Sequence, residues 1–166
     1  RHICLNRCTE ISKNAFENNN HMQIVVCPNV RTIGRCAFRY SRRLLKLYSY
    51  ELTKIECAAF CACNSLVHVS TQHVLVIESS AFQNCYALKM LDIGKVQKIE
   101  PICFVKCHSL QHLKVDENAT ITPSAFGGCV FNFKLTQEDI PKATSRRCCW
   151  KKIAKMRNLC LQVKIS

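Results

Sequence analysis

Apolar residues recur along this chain with a period of 22 residues. The most regular column is phenylalanine, which stands at Phe16, Phe38, Phe60, Phe82, Phe104 and Phe126. An isoleucine stands five residues before each of them, and an alanine directly precedes five of the six. A single unit of this length cannot bury its own apolar side chains, whereas stacked units bury like against like. The pattern therefore predicts a solenoid of about five and a half repeats.

A short strand is predicted within each repeat. The segment L-x-x-[LV]-x-[ITVC] alternates apolar and polar positions, as over residues 88–93, which is typical of a strand with one face in the core. Strands of successive repeats are expected to be parallel, because every turn of the chain returns in the same direction. The A-F-x-x-C segment opposite has room for no more than a helical turn. Together these features predict an α/β fold, a right-handed solenoid with a parallel sheet of short strands and short helical turns opposite.

The complete repeat pattern is I-x-x-x-A-F-x-x-C-x-x-L-x-x-[LV]-x-[IV], and it is best seen from Ile77 to Leu88. This pattern resembles the BspA-like leucine-rich repeats, and the resemblance covers about residues 3–133. The resemblance implies a leucine-rich-repeat solenoid of the kind found in cell-surface and secreted proteins. It also implies adhesion or the binding of another protein as the function.

Charge divides the chain near residue 133. Residues 1–133 carry 15 Lys and Arg against 9 Asp and Glu, whereas residues 134–166 carry 9 against 2, within a net charge of +13. We therefore expect a repeat domain over residues 1–133 and a basic tail or cap over residues 134–166. Apolar residues at helical spacing around Trp150 favour a cap over the last repeat. The alternatives for this tail are an acidic membrane surface and a calmodulin-like partner.

No signal peptide is predicted at the start of the sequence. The first residues lack the apolar segment of a signal peptide, and no apolar run approaches the roughly 18 residues of a membrane-spanning helix. Ile3 and Leu5 fall in register with the strand positions of the later repeats, so the chain begins in mid-repeat, and it does not begin with Met. We therefore expect a fragment or a processed product.

The outward positions of the strands are the best candidates for a binding surface. They change from repeat to repeat while the core positions stay fixed, as in solenoids that bind through their sheet. Tyr48 and Tyr50 are the expected anchors because aromatic residues dominate interface energetics. The predicted ligand-binding residues are Lys46, Tyr48, Tyr50, His68, Met90, Asp92, His112 and Lys114.

A polyanionic surface is the alternative partner. The basic residues that would contact an acidic membrane or a nucleic acid are Arg39, Arg42, Arg43, Arg146, Arg147, Lys151 and Lys152. Nucleic acid is the less favoured of the two because no motif of a known nucleic-acid module is present. Salt separates the hypotheses, since a polyanion complex weakens steeply as salt rises.

The 14 cysteines are expected to serve packing more than chemistry. Cys63, Cys85, Cys107 and Cys129 form one column, which we interpret as a ladder of small buried side chains. Their parallel Cβ vectors disfavour disulfides, although neighbouring rungs lie about 4.8 Å apart. The cluster Cys57, Cys61 and Cys63 raises a zinc site as an alternative, but we predict no metal and no cofactor. Free thiols favour a reducing compartment, whereas the family resemblance implies the cell surface or secretion, and both remain open.

Catalysis is not predicted. No nucleophile elbow, zinc-protease helix or phosphate-binding glycine loop occurs, and the chain has only four glycines. Asn118-Ala119-Thr120 is a glycosylation sequon, and Asn118 interrupts an apolar column, so we expect this point to lie at the surface.

Overall fold

The computed structural model describes residues 1–116 and 118–129, so the segment 134–166 lies outside the described residues. The chain winds into a parallel-strand β-solenoid in which a turn holds two short strands. The strands in this part of the chain are β1 (His2–Cys4), β2 (Glu10–Ile11), β3 (Ile24–Val26), β4 (Thr32–Ile33), β5 (Lys46–Tyr48), β6 (Lys54–Ile55), β7 (His68–Val69), β8 (Val76–Ile77), β9 (Met90–Ile93), β10 (Lys98–Ile99), β11 (His112–Val115) and β12 (Thr120–Ile121).

The odd-numbered strands form the first sheet and the even-numbered strands the second. Both sheets are parallel, and wherever neighbouring strands pair, a residue pairs with the one 22 positions later, as Val25 does with Leu47 and Ile33 with Ile55. The predicted strand is therefore confirmed as the strand of the first sheet. The second sheet was not predicted, because its strands are only two residues long. The isoleucine column was its signal, since every one of those isoleucines ends a strand of this sheet.

The core consists of stacked identical side chains. The six phenylalanine rings form one continuous stack, with centroids 5.1–5.6 Å apart and ring planes within 13° of parallel. Phe38, Phe60 and Phe82 are fully buried, as are the leucines of the first sheet such as Leu47. Each ring fills the space beside its neighbours, so the apolar burial of one turn depends on the presence of the next.

The turns opposite the first sheet are not helical, which corrects the predicted α/β class and its helical turns. The described residues contain one four-residue 3-10 helix, Pro123–Phe126, and no α-helix. In the other repeats successive backbone N–H groups alternate. One donates to a carbonyl of its own turn, and the following one donates to a carbonyl of the next turn. Around Phe16, for example, Glu17 N–H donates to the Asn14 carbonyl at 3.1 Å. Phe16 N–H itself donates to the Ala37 carbonyl of the next turn at 2.7 Å.

This alternation requires a left-handed backbone on both sides of each phenylalanine. In the first five repeats the residues two before and two after Phe have φ between 54° and 60°. None of them is glycine, and they are Asn14, Asn18, Cys36, Tyr40, Ala58, Ala62, Ser80, Asn84, Ile102 and Lys106. An α-helix would keep all its bonds local. The bonds to the neighbouring turn compensate for this unusual backbone conformation and tie the stack together.

Three members of the predicted cysteine column, Cys63, Cys85 and Cys107, are buried as predicted, whereas Cys129 is half-buried. The thiols of all four also donate hydrogen bonds. The Sγ atom of Cys85 donates to the Phe60 carbonyl of the preceding turn at 3.2 Å. Cys63, Cys107 and Cys129 make the same bond at 2.9–3.1 Å. In the second turn Ser41 Oγ occupies this place and donates to the Phe16 carbonyl at 2.6 Å. This position therefore favours a small side chain with one hydrogen-bond donor. The prediction of a ladder of small hydrophobic side chains did not include this hydrogen bond.

Both sheets are interrupted between the fourth and fifth turns. Within the described residues β7 does not pair with β9, and β8 does not pair with β10. The turns opposite remain bonded there, because Phe82 N–H still donates to the Cys103 carbonyl at 2.9 Å. Leu75, Val76 and Met90 border this seam and are exposed. The solenoid is thus held together at this level by its phenylalanine turns and not by its sheets.

The sequon lies at the surface, as expected. Asn118 is exposed, and Ala119 takes the buried place in the column that Val74 and Val96 occupy in earlier turns. Ala119 N–H donates to the Asp116 carbonyl at 3.1 Å, three residues back, as Val96 N–H does to Ile93. The loop has therefore shifted by one residue while Ile121 keeps its register with Ile99.

We predict that Ile102→Asn stabilises the fold. Ile102 is β-branched with φ of 60°, and a left-handed backbone costs an L-residue roughly 1–2 kcal/mol, with Asn among the least affected. Ile102 is 41% exposed, so only part of its apolar surface is buried. The free energy of unfolding, measured by chemical denaturation, is expected to rise by about 1 kcal/mol. Ile102→Val keeps the branched side chain and should give no gain, and an equal gain from both variants would contradict the strain explanation.

Candidate functional site

The first sheet brings the predicted ligand-binding residues onto one outward face. Lys46 and His68 are register partners on β5 and β7, and Met90 and His112 are partners on β9 and β11. Their burial alternates with that of the core residues, as in β11, where His112 and Lys114 are exposed and Leu113 is buried. Because the seam separates β7 from β9, the face consists of two parts, one on the first four turns and one on the last two.

Aromatic side chains are concentrated on the first part of this face. The Tyr48 ring lies 5.2 Å from the His68 ring, centroid to centroid, at an angle of 41°. Tyr50, two residues beyond the end of β5, is 72% exposed. Ile24 and Val26 on β3 lie beside Lys46 and Tyr48 and are half-buried, so they extend the apolar surface. These two residues were not among the predicted site residues, although their place in the outward columns was a signal for them.

On the last two turns the charged residues of the face neutralise each other. Lys114 Nζ lies 2.9 Å from Asp92 Oδ2, and the other oxygen of Asp92 accepts the Gly94 N–H at 3.0 Å. Asp92 therefore already has two partners within its own turn and the next. The structure brings these two predicted residues together, but as an ion pair instead of two independent contacts for a ligand.

Burial and charge act together on His68. Burial lowers the pKa of the imidazole below its ordinary value of 6.5, and the neighbouring Lys46 ammonium lowers it further. Both effects disfavour the charged ring. At neutral pH His68 is therefore uncharged and presents an aromatic face beside Tyr48.

The predicted polyanion-binding arginines do not form one free cluster. Arg39 Nε is bonded to Glu17 Oε1 at 2.7 Å, and its guanidinium lies 5.1 Å from the centre of the Tyr40 ring. Burial is the largest single effect on the pKa of Arg39 and lowers it. The Glu17 carboxylate and other neighbouring groups together outweigh burial, so the pKa lies above its ordinary value. Arg42 and Arg43 are exposed at the turn that leads into β5. Arg146, Arg147, Lys151 and Lys152 lie outside the described residues.

The buried cysteines are poor nucleophiles. Burial raises the pKa of Cys85 and of Cys103 far above the ordinary value of 9.0, and it raises the pKa of Cys27 to about 12. All eleven cysteines of residues 1–116 and 118–129 are free thiols. In that part of the chain no group of three or more His, Cys, Asp and Glu side chains is arranged to hold a metal ion. It also holds no helix whose length and apolar content would let it cross a membrane.

The repeat architecture defines a leucine-rich-repeat solenoid, and the chain belongs to the BspA-type leucine-rich repeat family. The model of that family matches six copies over residues 9–133. The family consists of repeat scaffolds that are generally non-catalytic and serve protein binding or adhesion. A comparison with curated proteins gave no match.

Solved structures of bacterial leucine-rich proteins share the fold. A leucine-rich cell surface protein from Faecalibacterium prausnitzii is 19% identical with a TM-score of 0.68, and the match covers 77% of this chain and 45% of that one. A leucine-rich repeat protein from Bacteroides ovatus is 25% identical with a TM-score of 0.70, over 78% and 35% of the two chains. A leucine-rich repeat protein from T. pallidum is 23% identical with a TM-score of 0.54, over 86% and 76%. The chain thus matches less than half the length of the first two proteins.

We predict that Lys46→Met raises the pKa of His68. The substitution removes a positive charge, but burial remains, so the value is expected to stay below 6.5. Because the unfolded chain takes up the proton more readily, His68 lowers the stability of the fold as the pH falls through 6.5. The measurement is an NMR titration of the imidazole signals. Lys98→Met on the second sheet serves as the control and should leave the titration unchanged, and an unchanged titration in Lys46→Met would show that this ammonium does not lie beside the ring.

We also predict that thiol reactivity follows burial. At pH 8 iodoacetamide should modify the exposed Cys4 and Cys8 in the native chain, but Cys63 and Cys85 only after denaturation, because the thiolate is the reacting form. The unfolded chain ionises these thiols above pH 9, so the free energy of unfolding should fall as the pH rises through that value. Peptide mapping by mass spectrometry gives the modified positions. Rapid labelling of Cys85 in the native chain would rule out a buried ladder.

Proposed function

We propose that this chain is a non-catalytic recognition module that binds a protein partner through the outward face of its first sheet, in the manner of an adhesion scaffold. The observation that carries the proposal is the apolar and aromatic surface formed by Ile24, Val26, Tyr48 and Tyr50 on β3 and the β5 region. Exposed aromatic side chains on a rigid sheet are the usual anchors of a protein interface.

The contrast between core and face supports this proposal. The stacking columns hold the same residue type in successive turns, whereas the outward position occupied by Lys46 holds Ile24, His68, Met90 and His112 in other turns. Stability requires no such variation, because these side chains lie outside the core. The proposal also agrees with the family of this chain, whose repeat scaffolds generally bind proteins.

Location and domain organisation form part of the same proposal. The F. prausnitzii protein that shares the fold is a cell surface protein, and we assign this chain to the cell surface on that analogy. The proposal also includes a repeat domain over residues 1–133 and a separate basic tail over residues 134–166.

The test is a selection of peptide binders on the immobilised chain from an unbiased display library. Individual peptides are then measured by fluorescence anisotropy against single variants. Tyr48→Ala and Tyr50→Ala are each expected to weaken binding by about tenfold, as for aromatic anchors at the centre of an interface.

Tyr40→Asn is the matched control. Tyr40 is also an exposed aromatic residue, but it lies on the phenylalanine turn and has a left-handed backbone that Asn accepts. The Tyr40→Asn variant should bind the selected peptides with unchanged affinity. Peptides that respond to Tyr40→Asn and not to Tyr48→Ala would place the binding surface on the turns and contradict the proposal.

A further inference from the structure

We infer that the partner segment of the first-sheet face is an acidic peptide that also carries apolar or aromatic side chains. The inference rests on the proposed function, since it concerns the same face. It is carried by the way in which the fold separates acidic from basic side chains.

The outward positions of the first part of the face lack acidic residues. Its outward positions on β1, β3, β5 and β7, and the two rim positions four and five residues after each Phe, hold no Asp or Glu. The basic residues of this surface include Arg42, Arg43 and Lys46. Among residues 1–116 and 118–129, no ion pair within 4 Å involves any of these three.

Most acidic residues elsewhere already have basic partners. Glu51, the acid next to Tyr50 in the sequence, is bonded to Arg31 at 2.8 Å. Lys54 on the second sheet lies 2.9 Å from Glu56 and 3.1 Å from Glu78, and this contact lowers the pKa of Glu56. The outward positions and rim of the first part of the face therefore carry unpaired positive charge with no acidic residue among them. An acidic segment is the partner that this potential attracts and orients.

The apolar surface within this basic rim distinguishes a peptide from other polyanions. Ile24, Val26 and the Tyr48 ring offer contacts that a phosphate backbone has no groups to match, whereas Leu, Phe or Tyr side chains of a peptide bury them. Three rung spacings separate β1 from β7, about 14 Å, which an extended segment of about four residues spans. A short stretch with acidic residues beside one or two apolar ones satisfies both features.

The experiment uses the whole chain and the display selection described above. Selected peptides should be enriched in Asp and Glu together with aromatic or aliphatic residues. The charge reversal Arg42→Glu with Arg43→Glu should weaken them by at least about tenfold, and added salt should weaken the original complex in part. The double variant Lys13→Glu with Lys106→Glu makes the same change in net charge at exposed positions of the phenylalanine turns and should shift affinity by less than about twofold.

Three other outcomes of this experiment are possible, and each would contradict a different statement about the first-sheet face. Peptides that depend on Tyr48 but show no acidic enrichment and no response to Arg42→Glu with Arg43→Glu would overturn this inference and leave the proposed function in place. Peptides that bind independently of Tyr48 and Tyr50 would overturn the proposed function itself. A 20-base-pair DNA duplex that displaces the peptides from the face at physiological salt would assign the basic rim to nucleic acid and not to a peptide.

Discussion

The in-register stacking of identical turns is the constraint on which the rest of this structure depends. Each phenylalanine ring packs against the ring 22 residues away, with centroids 5.1–5.6 Å apart. The isoleucines of the second sheet pair with those 22 residues away, except across the seam. One inserted residue within a turn would move every later column out of line. The turn around Asn118 shows how much variation is accepted, since the loop shifts by one residue but Ile121 returns to register.

Stacking also explains the unusual backbone of the phenylalanine turns. A turn that kept all its hydrogen bonds to itself would leave the stack joined only by its sheets. Here alternate N–H groups donate to the next turn, and non-glycine residues such as Ala58 and Lys106 take a left-handed conformation while they do so. The thiols of the cysteine column add a bond to the preceding turn. At the seam between the fourth and fifth turns these bonds persist while both sheets are interrupted.

A core that consists of repeated residues leaves the outward positions of the sheet free to vary, and the proposed binding surface lies there. The first-sheet face combines Tyr48, Tyr50 and a half-buried His68 with basic residues that lack acidic neighbours, whereas the acids lie mainly on the second sheet and its loops. Packing does not demand this segregation. Its consequence is that the first part of this face presents basic residues with no acidic residue at its outward positions.

The sequence by itself determined the repeat, the identity of the core columns, the strand of the first sheet and the family. These follow from a strict 22-residue period, because only side chains that meet their own kind in the next turn need to be identical. The tertiary structure decided the conformation around Ala37-Phe38, since the left-handed residues there are stabilised by carbonyl groups of a turn 22 residues away, which no local propensity describes. It also decided which candidate site residues are available. Asp92 and Lys114 pair with each other, and Arg39 pairs with Glu17, because side chains distant in sequence become neighbours only when the turns stack.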